Sequence, residues 1–245
     1  MRRYGLIGYP LTHSFSQRYF TDKFDREGIA DCSYTNYSLR EIGELSSVLR
    51  DRELRGLNVT IPYKQQVIPF LHLLSPVVEA IGACNCIRIG DGQLTGYNTD
   101  VVGFERSLIP LLRPHHREAL VLGTGGASKA VEYVLLKLGI SYRLVSRRPR
   151  QDTGDLGYED VDAAVLASAT LVINTTPVGM YPKVDECPPL PYAALTPGHY
   201  LYDLIYNPER TLFLQKGAAA GAAVENGHEM LILQAEESWR IWNMV

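Results

Sequence analysis

The sequence predicts an α/β protein built in two domains, and three observations predict it. Short apolar runs alternate with helical patterns through the first hundred residues. One almost continuous apolar run, EALVLG at 118–123, has the character of a strand buried on both faces of a parallel sheet. Directly after it, TGGASK opens a helix on glycine, as a βαβ unit does. A chain of 245 residues suits one large domain or two modest ones, with ample material for a core.

The elements follow in order. RYGLIG (3–8) reads as the first strand. A helix is expected to begin near Ser14, run through FSQRYFTDKFDREG and stop at Gly28. CSYTNYSL is a second strand, IGELSSVLRDREL a second helical pattern, and RGLNVTIPYK a strand entering a proline-bearing turn. QQVIPFLHLLSPVVEAIGA is helix-like but broken by Pro69 and Pro76. CNCIRIGDGQLTGYNTD reads as a hairpin turning on Asp91-Gly92. VVGFERSLIPLL is an amphipathic helix ending near Pro114, with Asp100 a candidate N-cap. Beyond RPHHR, the strands are EALVLG, SYRLVSR, ATLVINTTP and HYLYDLIYNP, with a helix in TGGASKAVEYVLLKLG. The last stretch reads as two helices interrupted around Asn226-Gly227, Gly221 being a cost to the alanine-rich part. Phe213, Trp239 and Trp242 are read as packing residues.

Bulk properties exclude several classes. A formal net charge of -3 argues against a strongly basic nucleic-acid surface. No apolar run reaches membrane-spanning length, and MRRYGLIGYP lacks a signal peptide's apolar core. The expectation is a cytoplasmic protein with no nucleic-acid or membrane partner. Four cysteines fit no disulfide framework in a chain this long. Cys84 and Cys86 are spaced as neighbours on one side of a strand and read as buried thiols; no second Cys/His pair completes a metal site. His13 is read as shaping a turn, and His115 and His116 as surface residues of a Pro-Arg linker.

Gly123, Gly125 and Gly126 permit a tight turn and close approach of backbone to a pyrophosphate at a helix N-terminus. Ser128 stands where the third glycine of that pattern would be, and a small residue there still allows helix–strand packing. An NAD site wants an acidic residue at the end of the next strand; this chain has Ser146, Arg147 and Arg148. A hydroxyl and two guanidiniums suit a 2′-phosphate, so the cofactor predicted is NADP. A plain glycine turn and a solvated basic turn are the bland alternatives.

Three further stretches hold more polar chemistry than loops need. GYPLTHSFS (8–16) sets two hydroxyls and an imidazole beside a turn. NVTIPYK supplies Asn58, Thr60 and Lys64; GYNTD supplies Asn98, Thr99 and Asp100; Asn85 stands between two cysteines. Such an inventory suits a small polyhydroxylated ligand carrying a carboxylate. Reduction of a carbonyl needs a proton at oxygen, which Lys64 can supply, and Asp100 can hold that lysine in its charged form. Read singly, Lys64 is as readily a surface lysine and Asp100 a helix cap.

With these motifs in order along nearly the whole chain, the sequence closely resembles the shikimate dehydrogenases. The resemblance implies that Ser14 and Ser16 contact a substrate carboxylate and that Thr60, Asn85, Asn98, Tyr206 and Gln234 contact substrate. It makes Lys64 the catalytic lysine and Asp100 its catalytic partner. The family's GxGGA falls on Gly123–Ala127, placing Gly123, Gly125, Gly126 and Ala127 on the cofactor, with Ser146, Arg147 and Arg148 at its phosphate. Its N-A-T-P-x-G-M resembles Asn174–Met180, placing Thr175 and Met180 near the cofactor, and its G-x-x-M-L-x-x-Q begins at Gly227, also assigned there. Ser146 and Arg148 depart from the usual asparagine and threonine, Val101 from a common glycine, and Cys86 from a common threonine.

The family fold implies an N-terminal α/β substrate domain (1–101), a Rossmann-like NADP-binding domain (102–222), and a C-terminal helix (223–245) returning to the first domain. The implied activity is NADPH-dependent reversible reduction of 3-dehydroshikimate to shikimate, by a monomer or homodimer. The rivals are a quinate/shikimate dehydrogenase of broader specificity, a low-turnover ligand-binding paralogue, and an unrelated Rossmann oxidoreductase.

Overall fold

The computed structural model describes residues 1–11, 15–150 and 153–244. Two units divide the chain: Met1–Thr99 with Ala235–Val245, and Asp100–Gln234.

In the first unit, β1 (Arg2–Gly8) lies between β2 (Cys32–Ser38) and β3 (Leu54–Val59), parallel to both. Helix α1 (Phe15–Glu27) connects β1 to β2 and ends before Gly28, whose φ of 67° terminates the helix without a Cβ penalty. The sheet then changes sense. β5 (Cys86–Gly90) is antiparallel to β3, β6 (Gln93–Tyr97) antiparallel to β5, and the two-residue β4 (Leu73–Leu74) closes the edge, giving β2-β1-β3-β5-β6-β4. Asp91 and Gly92, at φ 54° and 72°, make the two-residue hairpin turn between β5 and β6.

An aromatic cluster covers one face of this sheet. Tyr4 stacks on Trp242 at 4.9 Å between ring centroids, and Phe20 stacks on Tyr34 at 4.7 Å. Trp242 belongs to α8 (His228–Trp242), on which Ala235, Ile241 and Trp242 join that core at helical spacing. Its indole N–H donates to the Ile87 carbonyl at 3.0 Å. Gly56 makes the room: a Cβ there would overlap the indole.

The second unit is a doubly wound sheet. Its strands are β7 (Glu118–Leu122), β8 (Ser141–Ser146), β9 (Leu156–Gly157), β10 (Leu171–Asn174), β11 (Tyr200–Asp203) and β12 (Ala223–Glu225), in the order β12-β11-β10-β7-β8-β9. All neighbouring pairs are parallel. Counting from β7, this is the order 6-5-4-1-2-3, which reverses direction between β7 and β10. β10 and β11 are buried along their whole length, which is why they read as apolar runs. The helices are α4 (Asp100–Leu108), α5 (Gly126–Lys137), α6 (Ala163–Ser168), α7 (Leu212–Ala219) and the start of α8. α6 has only six residues and is held at its start by Asp162, which accepts from the Val165 N–H at 2.8 Å.

Several expectations need correction. The helical pattern at 42–54 folds as a 3-10 turn and the four-residue α2 (Leu45–Val48), because β3 already begins at Leu54. From 65 to 83, only α3 (Pro76–Ile81) is α-helix, with Pro76 inside its first turn, where no N–H is needed. The C-terminal stretch is helix, strand, helix: Gly221 (φ 79°) ends the first, and β12 was hidden by its alanine. Cys84 and Cys86 pack into different core clusters, because Cys84 precedes the strand. His116 is buried: its Nδ1 accepts from the Arg113 N–H at 2.9 Å, and its Nε2 faces the Gly198 carbonyl at 3.2 Å.

Candidate functional site

The first unit gathers its polar residues past the carboxyl ends of β1 and β3. Beyond the strands the chain stays zipped: Thr60 N–H donates to Ile7 at 2.9 Å, and Tyr9 N–H to Ile61 at 3.1 Å. Gly8 is needed there, since a Cβ would overlap the Thr60 methyl group. Ser14 and His13 lie outside the described residues. Ser16 is the second residue of α1, and its hydroxyl opposes the rise that burial imposes on the Tyr34 phenol.

A buried network fixes the amides. Asn58 accepts from Tyr34 Oη at 2.9 Å and donates through Nδ2 to Ser238 Oγ at 2.9 Å. Ser238 Oγ and Thr99 Oγ1 are 3.2 Å apart. Asn85 donates to Thr99 Oγ1 at 3.1 Å, and its oxygen accepts the Thr99 N–H at 2.6 Å. Asn98 donates to the Ala83 carbonyl at 2.9 Å. The Cys84 N–H donates to the Lys64 carbonyl at 2.7 Å, so the lysine turn is tied to the same Ala83–Asn85 segment. Asp100 follows Thr99 directly and is the first residue of α4. Asn85 therefore spends its oxygen on Thr99, and its second Nδ2 hydrogen is the part of the amide left for another acceptor. Tyr34 and Ser238 escaped sequence reasoning; the signal for Ser238 was its position one helical turn after Gln234.

In the second unit the cofactor candidates collect at the point where strand order reverses. Gly123 leaves β7 at φ 105°, and a Cβ there would meet Thr175 Oγ1 at 2.8 Å. That hydroxyl donates to the Leu122 carbonyl at 2.7 Å, joining the two loops. Gly125 caps α5 and Gly126 begins it; Cβ atoms on either would enter open space. Ser128, buried, occupies the third-glycine position and donates to the Gly125 carbonyl at 2.8 Å.

A cavity of about 410 Å³ has Gly123, Gly125, Ser146, Arg147, Thr175 and Thr176 in its wall. Another, of about 480 Å³, is lined by Thr124, Ser146, Arg147 and Arg148. Neither has an acidic side chain in its lining, and no ion pair among the described residues engages Arg147 or Arg148. A glycine cradle at a helix N-terminus, beside two arginines that form no ion pair among the described residues, fits a phosphorylated dinucleotide. Met180, Tyr206 and Gly227 stand outside these linings. Met180 and Tyr206 are exposed, and Gly227 packs so closely on the Leu204 backbone that no Cβ fits. Ala127 lies in the first turn of α5, and Gln234 is buried on α8, donating to the Leu231 carbonyl at 3.1 Å.

Among the described residues, no group of three or more His, Cys, Asp or Glu could hold a metal, and no helix is long and apolar enough to cross a membrane.

Comparison with known proteins gives consistent results. Residues 6–87 match the family model for the shikimate dehydrogenase substrate binding domain. A shikimate dehydrogenase (NADP(+)) of Desulforamulus reducens is 34% identical over 260 residues, covering 97% of this chain and 88% of its own. The shikimate 5-dehydrogenase of Thermus thermophilus, solved in complex with NADP(H) and shikimate, is 31% identical with a TM-score of 0.86, covering 99% and 94% of the two chains. The quinate dehydrogenase of Corynebacterium glutamicum, solved with NAD, has a TM-score of 0.87 at 26% identity over 99% and 93%.

Proposed function

The chain belongs to the shikimate dehydrogenase family, and from that premise we propose that it catalyses the reversible, NADPH-dependent reduction of 3-dehydroshikimate to shikimate, a step toward chorismate and the aromatic amino acids. The similarity to NADP-dependent relatives over 97% of the chain carries this reading. NADPH, when bound, supplies hydride to the C3 carbonyl carbon. Lys64 donates the proton to the oxygen, directly or through water, and Asp100 is its catalytic partner. Ser14 and Ser16 hold the carboxylate, while Thr60, Asn85, Asn98, Tyr206 and Gln234 orient the ring. Gly123, Gly125, Gly126, Ala127, Thr175, Met180 and Gly227 are assigned to the cofactor, with Ser146, Arg147 and Arg148 at its 2′-phosphate.

The domain assignment follows the same reading, with residues 1–101 for substrate, 102–222 for NADP and 223–245 returning to the first domain. The lack of a disulfide among the described residues suits a cytoplasmic protein, taken here as a monomer or homodimer.

The likeness to a quinate dehydrogenase favours one second reading, a broader enzyme that also takes quinate. Purified protein is offered shikimate or quinate with NADP+ or NAD+, and reduced nicotinamide is followed by absorbance. Turnover of shikimate with NADP+ is expected, falling at least ~100-fold in Lys64→Ala while shikimate binding persists. Equal turnover of quinate moves the assignment to the broader enzyme. Binding without turnover overturns the enzyme reading.

A further inference from the structure

Asp203 ends β11 and is completely buried, yet no cation pairs with it among the described residues. A lone buried carboxylate is costly, and a neutral side chain of similar shape would serve the fold as well. Its surroundings show what it holds. Thr211 Oγ1 donates to it at 2.6 Å, Asn174 Nδ2 at 3.0 Å and the Ile205 N–H at 3.1 Å. The Asn174 oxygen in turn accepts from Thr176 N–H at 3.1 Å and Thr176 Oγ1 at 2.6 Å. Val178 N–H then donates to Thr176 Oγ1 at 3.3 Å. Thr175, Thr176, Pro177 and Val178 form one wall of the 410 Å³ cavity at the strand-order reversal. An ionised acceptor on the Asn174 amide polarises that amide and strengthens its oxygen toward Thr176.

We propose that Asp203 is a positioning residue for cofactor binding: its carboxylate, acting through Asn174 and Thr176, sets the nucleotide-facing wall of the cavity. This rests on the reading that the cavity takes NADP. Tyr192 and Tyr202 are the titratable groups that feel Asp203, and no charged side chain bears on it among the described residues. Burial pushes its carboxyl up to about 6 despite the three donors, so the network meets an ionised acceptor above that pH and a protonated one below.

The test measures NADP+ affinity by calorimetry from pH 5.5 to 8, with kcat, both KM values and Tm, in wild type, Asp203→Asn, Thr211→Val and Thr211→Ser. Asp203→Asn is expected to weaken NADP+ binding about tenfold at pH 7.5, with shikimate KM within twofold and Tm not lowered. The ratio of the two affinities is expected to shrink toward one as pH falls through 6; the cofactor's own phosphate titrates alike in both proteins and leaves the ratio. Thr211→Val weakens binding in the same sense without touching the cavity, Thr211→Ser restores it, and this pair carries the test if Asp203→Asn does not fold. NADP+ binding within twofold of wild type at pH 7.5, a ratio flat with pH, or parallel loss of NADP+ affinity, shikimate affinity and Tm would each overturn the proposal. Absence of NADP+ binding by wild type would instead overturn the reading of the cavity, and this inference with it.

Discussion

Replacing Ser238 by alanine removes one hydroxyl from the centre of the network in the first unit. Asn58, Thr99 and Ser238 are all buried, so water cannot replace what is lost. The Thr99 hydroxyl has Asn85 Oδ1 at 3.3 Å as a second acceptor, and its proton can turn there. Asn58 Nδ2 has a poorer substitute, the Asn85 carbonyl at 3.4 Å, which already accepts the Val59 N–H at 2.8 Å. A buried donor left unsatisfied costs about 1–3 kcal/mol, and this partial substitute places Ser238→Ala near ~1.5 kcal/mol. For a chain of this length that is a fall in Tm of roughly 3–6 °C. Thr99 precedes Asp100, the proposed catalytic partner of Lys64, and slack in the network is expected to reach it; if the whole loss appears in the transition state, kcat/KM falls about tenfold. Urea and thermal unfolding of Ser238→Ala, Asn58→Ala and the double variant measure the coupling directly. A coupling energy above about 0.5 kcal/mol is expected between groups that share a hydrogen bond. Additive effects, with kcat/KM unchanged in Ser238→Ala, would refute the view that this network positions the site.

Other consequences are equally measurable. Arg147→Ala with Arg148→Ala should cut the preference for NADP+ over NAD+, as a ratio of kcat/KM values, by about 100-fold, since each charge-assisted bond is worth about 1.5 kcal/mol at these exposed positions; an unchanged ratio would remove both from the phosphate. Burial lowers the His116 pKa below that of an exposed imidazole, so the unfolded chain binds more protons as pH drops. The stability this contributes is fully present above about pH 6.5 and is lost as pH falls through the folded value, a loss that urea titrations should show in wild type and not in His116→Gln. Gly56→Ala should force the Trp242 indole out of place, costing about 2 kcal/mol or more and shifting tryptophan emission, and native emission with an unchanged Tm would contradict the packing argument.

Legibility in the sequence followed the reach of the forces. β7, β10 and β11 were visible because burial on both faces confines charged and amide side chains to a strand's ends. The turn at Gly123 stood out because its φ of 105° favours glycine, and the arginines after β8 because no acidic residue stands where that strand ends. β12 was not, since a short edge strand of Ala223–Glu225 carries no alternation and borrows its order from β11. The helical pattern at 42–54 misled because local periodicity says nothing about where the next strand must start to reach its partner; pairing of Leu54 with Arg3 decides that. Tyr34, Ser238 and Asp203 were missed for a related reason. Their roles depend on hydrogen bonds spanning 24, 180 and 29 residues, which no window along the chain contains.

Each unit gathers candidate site residues past the carboxyl ends of parallel strands, and in both a buried asparagine ties down the adjoining loop by its backbone. In the first, Asn85 grips the Thr99 N–H, supported by the neutral hydroxyl of Ser238. In the second, Asn174 grips the Thr176 N–H, supported by a carboxylate. The two solutions differ in what they cost. Neutral partners satisfy one another at every pH, so the Asn58–Ser238–Thr99–Asn85 network stabilises the fold and the site together. A carboxyl raised from 3.8 to about 6 works against the fold by on the order of 3 kcal/mol once it is ionised. The sign follows from the shift: that cost is absent below the unfolded value and grows as pH rises through the folded one. Asp203→Asn should therefore hold or raise stability at neutral pH while loosening the nucleotide wall, whereas Ser238→Ala should lower stability and activity together. The opposite signs in stability separate a residue kept for alignment from one kept for the fold.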